Sequence, residues 1–250
     1  MSELSDKEQL RYSRHLMLKE VGHAGQLKLK AGHVVVVGAG GLGSPALLYL
    51  AASGVGELTL LDDDKVELSN LQRQVLYKVN HLGQAKVCAA GKVLGSLNNQ
   101  ITVNTIEQQL TDQNAEHIFT GATLVLDCSD NFTTRYTVNR FCLKAGIPLI
   151  SGAAIASEGQ LMCFDFRETD SPCYGCLFPE QPTEHALNCD NAGVLSPLLG
   201  VIGSMQALLA INLILGHHKG SQFVRFDGLS LTQQQFKLTK TPECTECGRD

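Results

Sequence analysis

The stretch that most constrains this chain runs from residue 33 to residue 62, and it reads as strand, glycine turn, helix, strand and acid. Val34, Val35, Val36 and Val37 form a continuous β-branched run, the pattern of a strand buried on both faces of a parallel sheet. The run leads straight into Gly38-Ala39-Gly40-Gly41-Leu42-Gly43, which satisfies G-x-G-x-x-G. Glycines at those positions let the backbone turn tightly, come close to phosphate and pack against the following helix. That helix carries Ser44 and Pro45 near its start and stops at Gly54. The next strand, 58–61, ends in Asp62, about 20 residues after the turn, where a carboxylate can bind ribose hydroxyls. The unit is expected to be a nucleotide site.

The rest of the chain permits one large α/β core without a separate second domain, since it has 250 residues of which 44% are hydrophobic and 18% charged. A net charge of -5 argues against nucleic acid as the main partner. The polar opening Ser2-Glu3-Leu4-Ser5-Asp6-Lys7 carries no basic-then-apolar signal, so a cytoplasmic protein is expected. Residues 194–215 are strongly apolar but contain Pro197, Gly200, Gly203, Ser204, Gln206 and Asn212, which favours a buried helix over a membrane span. Gly200, Gly203 and Ala207 would let another helix approach it closely.

Taken in order, residues 5–18 predict a helix with a capping box, Ser5 at the cap and Glu8 three residues on, with Arg11, Arg14 and His15 sharing one face. After Asp62 the chain is polar through Gln74, and Asn70, Gln72 and Arg73 offer amide and guanidinium groups suited to a triphosphate. Lys86 opens an apolar helix to about residue 97, placing its ammonium near a helix N-terminus, where anions bind. A strand over 101–106, a helix over 111–119 and a buried strand over 124–126 follow, and the last leads into Asp127-Cys128-Ser129-Asp130-Asn131. Carboxylates at the carboxyl end of a parallel strand sit where ligands bind in open α/β sheets, so Asp130, ahead of Asp127, is the candidate for Mg2+. The competing expectation is that Asp130 merely caps a helix over 132–145. Strands over 147–150 and 159–164 complete the regular part.

The nine cysteines do not read as a disulfide framework. Cys88, Cys128, Cys142 and Cys163 are expected to be buried small hydrophobes. Cys173-x-x-Cys176 and Cys244-x-x-Cys247 offer four thiolates to one Zn2+, and their number closes the site to water, so the metal would be structural; a redox pair is the rival. Periodicity fails from residue 167 to 197, a stretch rich in proline that carries Cys189 without an apolar pattern to bury it, and a nucleophilic thiol is one reading of it.

Together these residues resemble the ubiquitin-activating-enzyme-like adenylyltransferases of the ThiF/MoeB/HesA group. The resemblance runs through Arg11-Tyr12-Ser13-Arg14, the turn from Gly38 to Gly43, Ser69 to Gln74, Lys86, Asp127 to Asn131, both cysteine pairs, Asn188-Cys189 and Ala192-Gly193-Val194. It implies a Rossmann-like α/β fold with a mostly parallel central sheet extended by C-terminal strands, plus a structural zinc site. One adenylyltransferase domain would span residues 1–250, with a helical arm to about 30, a nucleotide core over 31–166, a crossover loop over 167–197 and a buried helix, strands and zinc knuckle over 198–250. It further implies ATP and Mg2+ as cofactors, a homodimer, and adenylation of the C-terminal Gly-Gly of a small ubiquitin-like sulfur carrier. Gly40, Gly41 and Asp62 would hold the nucleotide, and Ser69, Asn70, Leu71, Gln72, Arg73 and Lys86 its phosphates. Asp130, with Asn131 beside it, would hold magnesium, Arg14 would reach the partner subunit's ATP, and Cys189 would engage the activated carrier. No rhodanese domain is expected, so sulfur would come from a separate protein.

Within the group, Arg11 to Arg14, Asp62 to Asp64, Cys176-Leu177-Phe178-Pro179 and Phe226-Asp227-Gly228 favour the thiamin-pathway branch with a ThiS-type carrier. Glu3 to Asp6 and Ser151 to Ile155 point to the molybdopterin branch with a MoaD-type carrier. An NAD-dependent oxidoreductase would share the glycine turn and Asp62 but leaves Arg73, Lys86, Asp130 and the cysteine pairs without a task. A non-catalytic carrier-binding protein would not need them in one chain.

Overall fold

A computed structural model describes residues 3–180 and 193–248. Helices α1 (Asp6–Arg11), α2 (Ser13–Leu16) and α3 (Gly22–Ala31) precede an alternation of strand and helix. It runs β1 (His33–Val37), α4 (Gly43–Ser53), β2 (Glu57–Leu61), α5 (Lys86–Leu97), β3 (Thr102–Ile106), α6 (Ala115–Phe119), β4 (Leu124–Asp127), α7 (Phe132–Ala145) and β5 (Leu149–Ile155). Then come β6 (Glu158–Phe164), α8 (Tyr174–Leu177), the long α9 (Ser196–Leu215), β7 (Gln222–Asp227) and β8 (Thr232–Lys237). The strands form one sheet in the order β3-β2-β1-β4-β5-β6-β7-β8. The β3-to-β5 half is parallel, and β6 to β8 extend it antiparallel, as the resemblance implied.

The valine run is continuous because β1 is buried on both faces. Val34 and Val36 point into a core with Leu47, Leu50, Leu58 and Leu60, while Val35 and Val37 point into a second core with Phe119, Val125, Tyr136 and Phe164. Strand order reverses on either side of β1, between β2 and β4, and the crevice this opens at the carboxyl ends of the strands is where ligands bind in such sheets.

The apolar segment 194–215 is a core helix. Its window is 56% buried although α9 is long and apolar enough to cross a membrane. A Cβ on Gly203 would lie 2.3 Å from the Leu42 carbonyl oxygen and 2.6 Å from Pro45, so glycine there lets α9 press onto α4. Gly200 serves no such approach among the described residues.

Several expectations need correction. The helix over 5–18 keeps its Ser5–Glu8 capping box but breaks at Tyr12, whose ring packs over Gly54 and whose hydroxyl accepts a hydrogen bond from Asn98 Nδ2 at 2.9 Å. The helix over 111–119 shrinks to α6 because Asn114 turns its side chain back to the Thr111 N–H. Cys128, Cys142 and Cys163 are buried as expected, but Cys88 is exposed on α5. α7 is capped by Asn131, whose Oδ1 accepts from the Thr134 N–H at 2.8 Å, and Asp130 is not the cap.

Candidate active site and metal centre

A cleft of about 750 Å³ opens at the carboxyl ends of β1, β2 and β4. Of the residues singled out for the nucleotide, Gly40, Gly41, Asp62, Arg73, Lys86, Asp130 and Asn131 line it together. The glycine turn is shaped by close approaches that a side chain would block: a Cβ on Gly43 would fall 2.1 Å from the Gly38 carbonyl oxygen. Asp62 braces the turn, its Oδ2 accepting from the Ala39 N–H at 2.7 Å and its Oδ1 from the Asp64 N–H at 2.9 Å. From the other side the Tyr77 hydroxyl donates to the Ala39 carbonyl at 2.7 Å. Burial, then the Asp62 and Asp64 charges, push the Tyr77 hydroxyl far above its ordinary range, so it stays a donor. Burial raises the Asp62 carboxyl above its ordinary value, against the lowering by Lys86 and the two N–H groups.

Lys86 is buried at the first position of α5 and pairs with the exposed Asp64 carboxylate at 2.7 Å. Arg73 donates from Nη1 to the Ser69 carbonyl at 3.2 Å. Ser69, Asn70, Leu71 and Gln72 do not line the cleft; they form the turn behind Arg73. Asn70 spends its side chain on the Glu67 N–H, and Ser196 at the start of α9 donates to the Gln72 carbonyl. Arg14 lies outside the cleft, exposed on α2, with Nη1 3.8 Å from Met17 Sδ. Cys189 lies outside the described residues.

The segment 127–131 divides its labour sharply. Asp127 is buried and saturated: Oδ1 accepts from Ser129 N–H and hydroxyl, and Oδ2 from the Ser151 hydroxyl at 2.7 Å and Arg135 Nη1 at 3.3 Å. With those lone pairs occupied it has no capacity for a cation. Asp130 is exposed, lines the cleft and makes no hydrogen bond among the described residues, so it fits a hard cation beside phosphates. Arg135 is the residue that sequence reasoning missed. Its only signal is a guanidinium in the first turns of a helix that packs on the core. Gln74, Gln108, Tyr174 and Phe178 also line the cleft.

Cys173, Cys176, Cys244 and Cys247 converge with all four sulfur atoms within 4.8 Å of one another. The closest approaches are 3.6 Å for Cys173–Cys244 and 3.3 Å for Cys176–Cys247. Tetrahedral zinc with Zn–S near 2.3 Å sets sulfur–sulfur edges of about 3.8 Å, so the cluster fits Zn2+ with slight expansion. The Thr241 N–H points at Cys176 Sγ at 3.4 Å, as an outer partner of a thiolate would.

Comparisons with known proteins place the chain in a family. The ThiF family model matches residues 12–246. Molybdopterin-synthase adenylyltransferase of Salmonella typhimurium is 45% identical over 251 residues, covering 100% of both chains. The SAMP-activating enzyme E1 of Haloferax volcanii is 42% identical over 241 residues, covering 95% of this chain and 88% of that one. The crystal structure of E. coli MccB with ATP superposes with a TM-score of 0.81 at 24% identity, covering 96% of this chain and 75% of that one, which establishes the fold alone. These relatives do not support the preference for the thiamin-pathway branch; the molybdopterin alternative fits them better.

Proposed function

The chain belongs to the ThiF family and is an adenylyltransferase, and from that premise we propose that it adenylates the C-terminal glycine of a ubiquitin-like sulfur carrier of the MoaD type, releasing pyrophosphate. The observation that carries the reading is the single cleft gathering the glycine turn, Asp62, Arg73, Lys86 and Asp130. The names of the relatives supply the carrier class.

ATP would lie over Gly40 and Gly41 with its ribose toward Asp62 and its phosphates toward Arg73 and Lys86. The carrier's terminal carboxylate then attacks the α-phosphate, a reaction between two anions. Fixed cations must shield that charge and hold an in-line geometry. Lys86, Arg73 and Arg14 of the partner subunit in a homodimer would do so, and Mg2+, when held at Asp130, neutralises phosphate charge. No general base is required, because the nucleophile is already ionised. The acyl-adenylate is reactive toward sulfur: the Cys189 thiolate, or a sulfur nucleophile supplied by a separate donor protein, would attack its carbonyl carbon, breaking the acyl–phosphate bond with AMP as the leaving group. Zn2+ at the four cysteines would staple the C-terminal segment to α8. The enzyme would be cytoplasmic.

Incubating the protein with a MoaD-type carrier and ATP-Mg, followed by intact-mass measurement, should give a carrier heavier by one AMP. A carrier left at its original mass, with folded protein and intact Gly-Gly, overturns the reading.

A further inference from the structure

We propose that Arg135 is a positioning residue for the magnesium-binding carboxylate: its guanidinium locks the backbone at Ser129 so that Asp130 is presented to the cleft in one geometry. The inference rests on the reading of the cleft as an ATP-Mg site.

Arg135 reaches back from α7 to the segment that precedes the helix. Nη2 donates to the Ser129 carbonyl at 2.6 Å and to the Gly152 carbonyl at 2.9 Å, while Nη1 donates to Ser151 Oγ at 2.9 Å and Asp127 Oδ2 at 3.3 Å. One planar fork therefore ties the carboxyl end of β4 and the middle of β5 to the residue immediately before Asp130, a task that the point charge of lysine cannot copy. The opposite face of the same two strands is held by Gln206 of α9, which is fully buried and donates to the Asp127 carbonyl at 2.9 Å. Gly152 lies between the two clamps: its carbonyl accepts from Arg135, and a Cβ on it would fall 2.5 Å from Gln206 Oε1.

Within 127–131 the other side chains are spent internally. Asp127 holds Ser129, Cys128 Sγ faces Gln206 Oε1 at 3.5 Å, Ser129 Oγ donates to Asp127, and Asn131 caps α7. Of the two carboxylates, Asp130 alone is left for a cation. A carboxylate whose flanking backbone is fixed in this way needs no reordering when the cation arrives, which is how partners behind a metal ligand raise affinity.

The test is calorimetric titration of ATP into wild-type, Arg135→Lys and Ser151→Ala protein, with and without Mg2+, alongside thermal melts. Wild type should bind ATP more tightly with Mg2+. For Arg135→Lys the Mg2+-dependent gain should shrink by about tenfold or more, the scale seen when a partner behind a metal ligand is lost, while Mg2+-free affinity stays within about twofold. Ser151→Ala, which removes one partner and keeps the fork, should show the same split at a smaller amplitude, and it carries the test if Arg135→Lys fails to fold. A full Mg2+ gain in the folded variants, or equal losses with and without Mg2+, overturns the positioning role. Absence of any Mg2+ gain in wild type overturns instead the ATP-Mg reading on which it rests.

Discussion

The Lys86 ammonium sits 2.7 Å from the Asp64 carboxylate, a buried cation paired with an exposed anion at the lip of the cleft. An arriving triphosphate can take over that cation without exposing it, since Asp64 already faces water. Lys86→Ala should lower pyrophosphate exchange on the order of 100-fold, the scale of losing one fixed stabiliser of developing charge. Asp64→Asn should change it by less than about threefold, because Asp64 faces water and the triphosphate takes its place beside Lys86. Steady-state exchange rates of the two variants check this, and equal losses would contradict the assignment of Lys86 to the phosphates.

Arg14 lies outside the cleft and is exposed, which makes its proposed action on a partner subunit testable by mixing. Arg14→Ala and Asp130→Ala proteins should each be inactive alone. Unfolded, mixed and refolded together, they should recover about a quarter of wild-type exchange, since half the dimers are mixed and each has one intact site. No recovery, with mixed dimers demonstrated, would show that Arg14 serves its own cleft or none.

Protein purified under reducing conditions should contain one zinc per chain by elemental analysis. Cys244→Ser should lose most of that zinc and become more sensitive to proteolysis beyond β8. Because closed four-thiolate zinc has no open position for chemistry, ATP binding by the variant should stay within about threefold of wild type. Nucleotide binding that disappears together with zinc would contradict a purely structural role.

Asp165 is buried after β6, and Arg167 grips it with two hydrogen bonds of 2.6 and 2.7 Å. Burial opposes ionisation, but the Arg167 hydrogen bonds and charge prevail and hold the carboxyl below its ordinary value of 3.8. A lowered folded value adds stability above the ordinary value, and this is lost as pH falls through the folded one. Arg167→Ala should therefore cost about 1 kcal/mol at pH 7, a modest figure because the guanidinium is half exposed. The gap between the two denaturation midpoints should close as pH falls below the ordinary aspartate value. A gap independent of pH would assign the effect to packing alone.

What was legible in the sequence was what depends on neighbours along the chain. Val34 to Val37, the glycine turn and the Gly54 stop all take their conformation from local chemistry and stand where expected. The break at Tyr12 was not legible, because it comes from contacts with Gly54 and Asn98, distant in sequence. Arg135 was hidden for the same reason: its partners Ser151 and Gly152 reach it only when β5 lies beside β4. Phe226-Asp227-Gly228 favoured the thiamin-pathway branch, which the relatives support less well than the molybdopterin one, and the structure shows what the motif does. Asp227 accepts from the Leu229 N–H and the Ser230 hydroxyl in the turn between β7 and β8, so the motif records a hairpin and says nothing of the carrier.

The central claim is tested most directly by exchange of labelled pyrophosphate into ATP, measured with the protein alone, with a MoaD-type carrier and with a ThiS-type carrier. The account predicts exchange with the MoaD-type carrier that vanishes when its terminal Gly-Gly is removed. Exchange with the ThiS-type carrier only, or with neither, would contradict it.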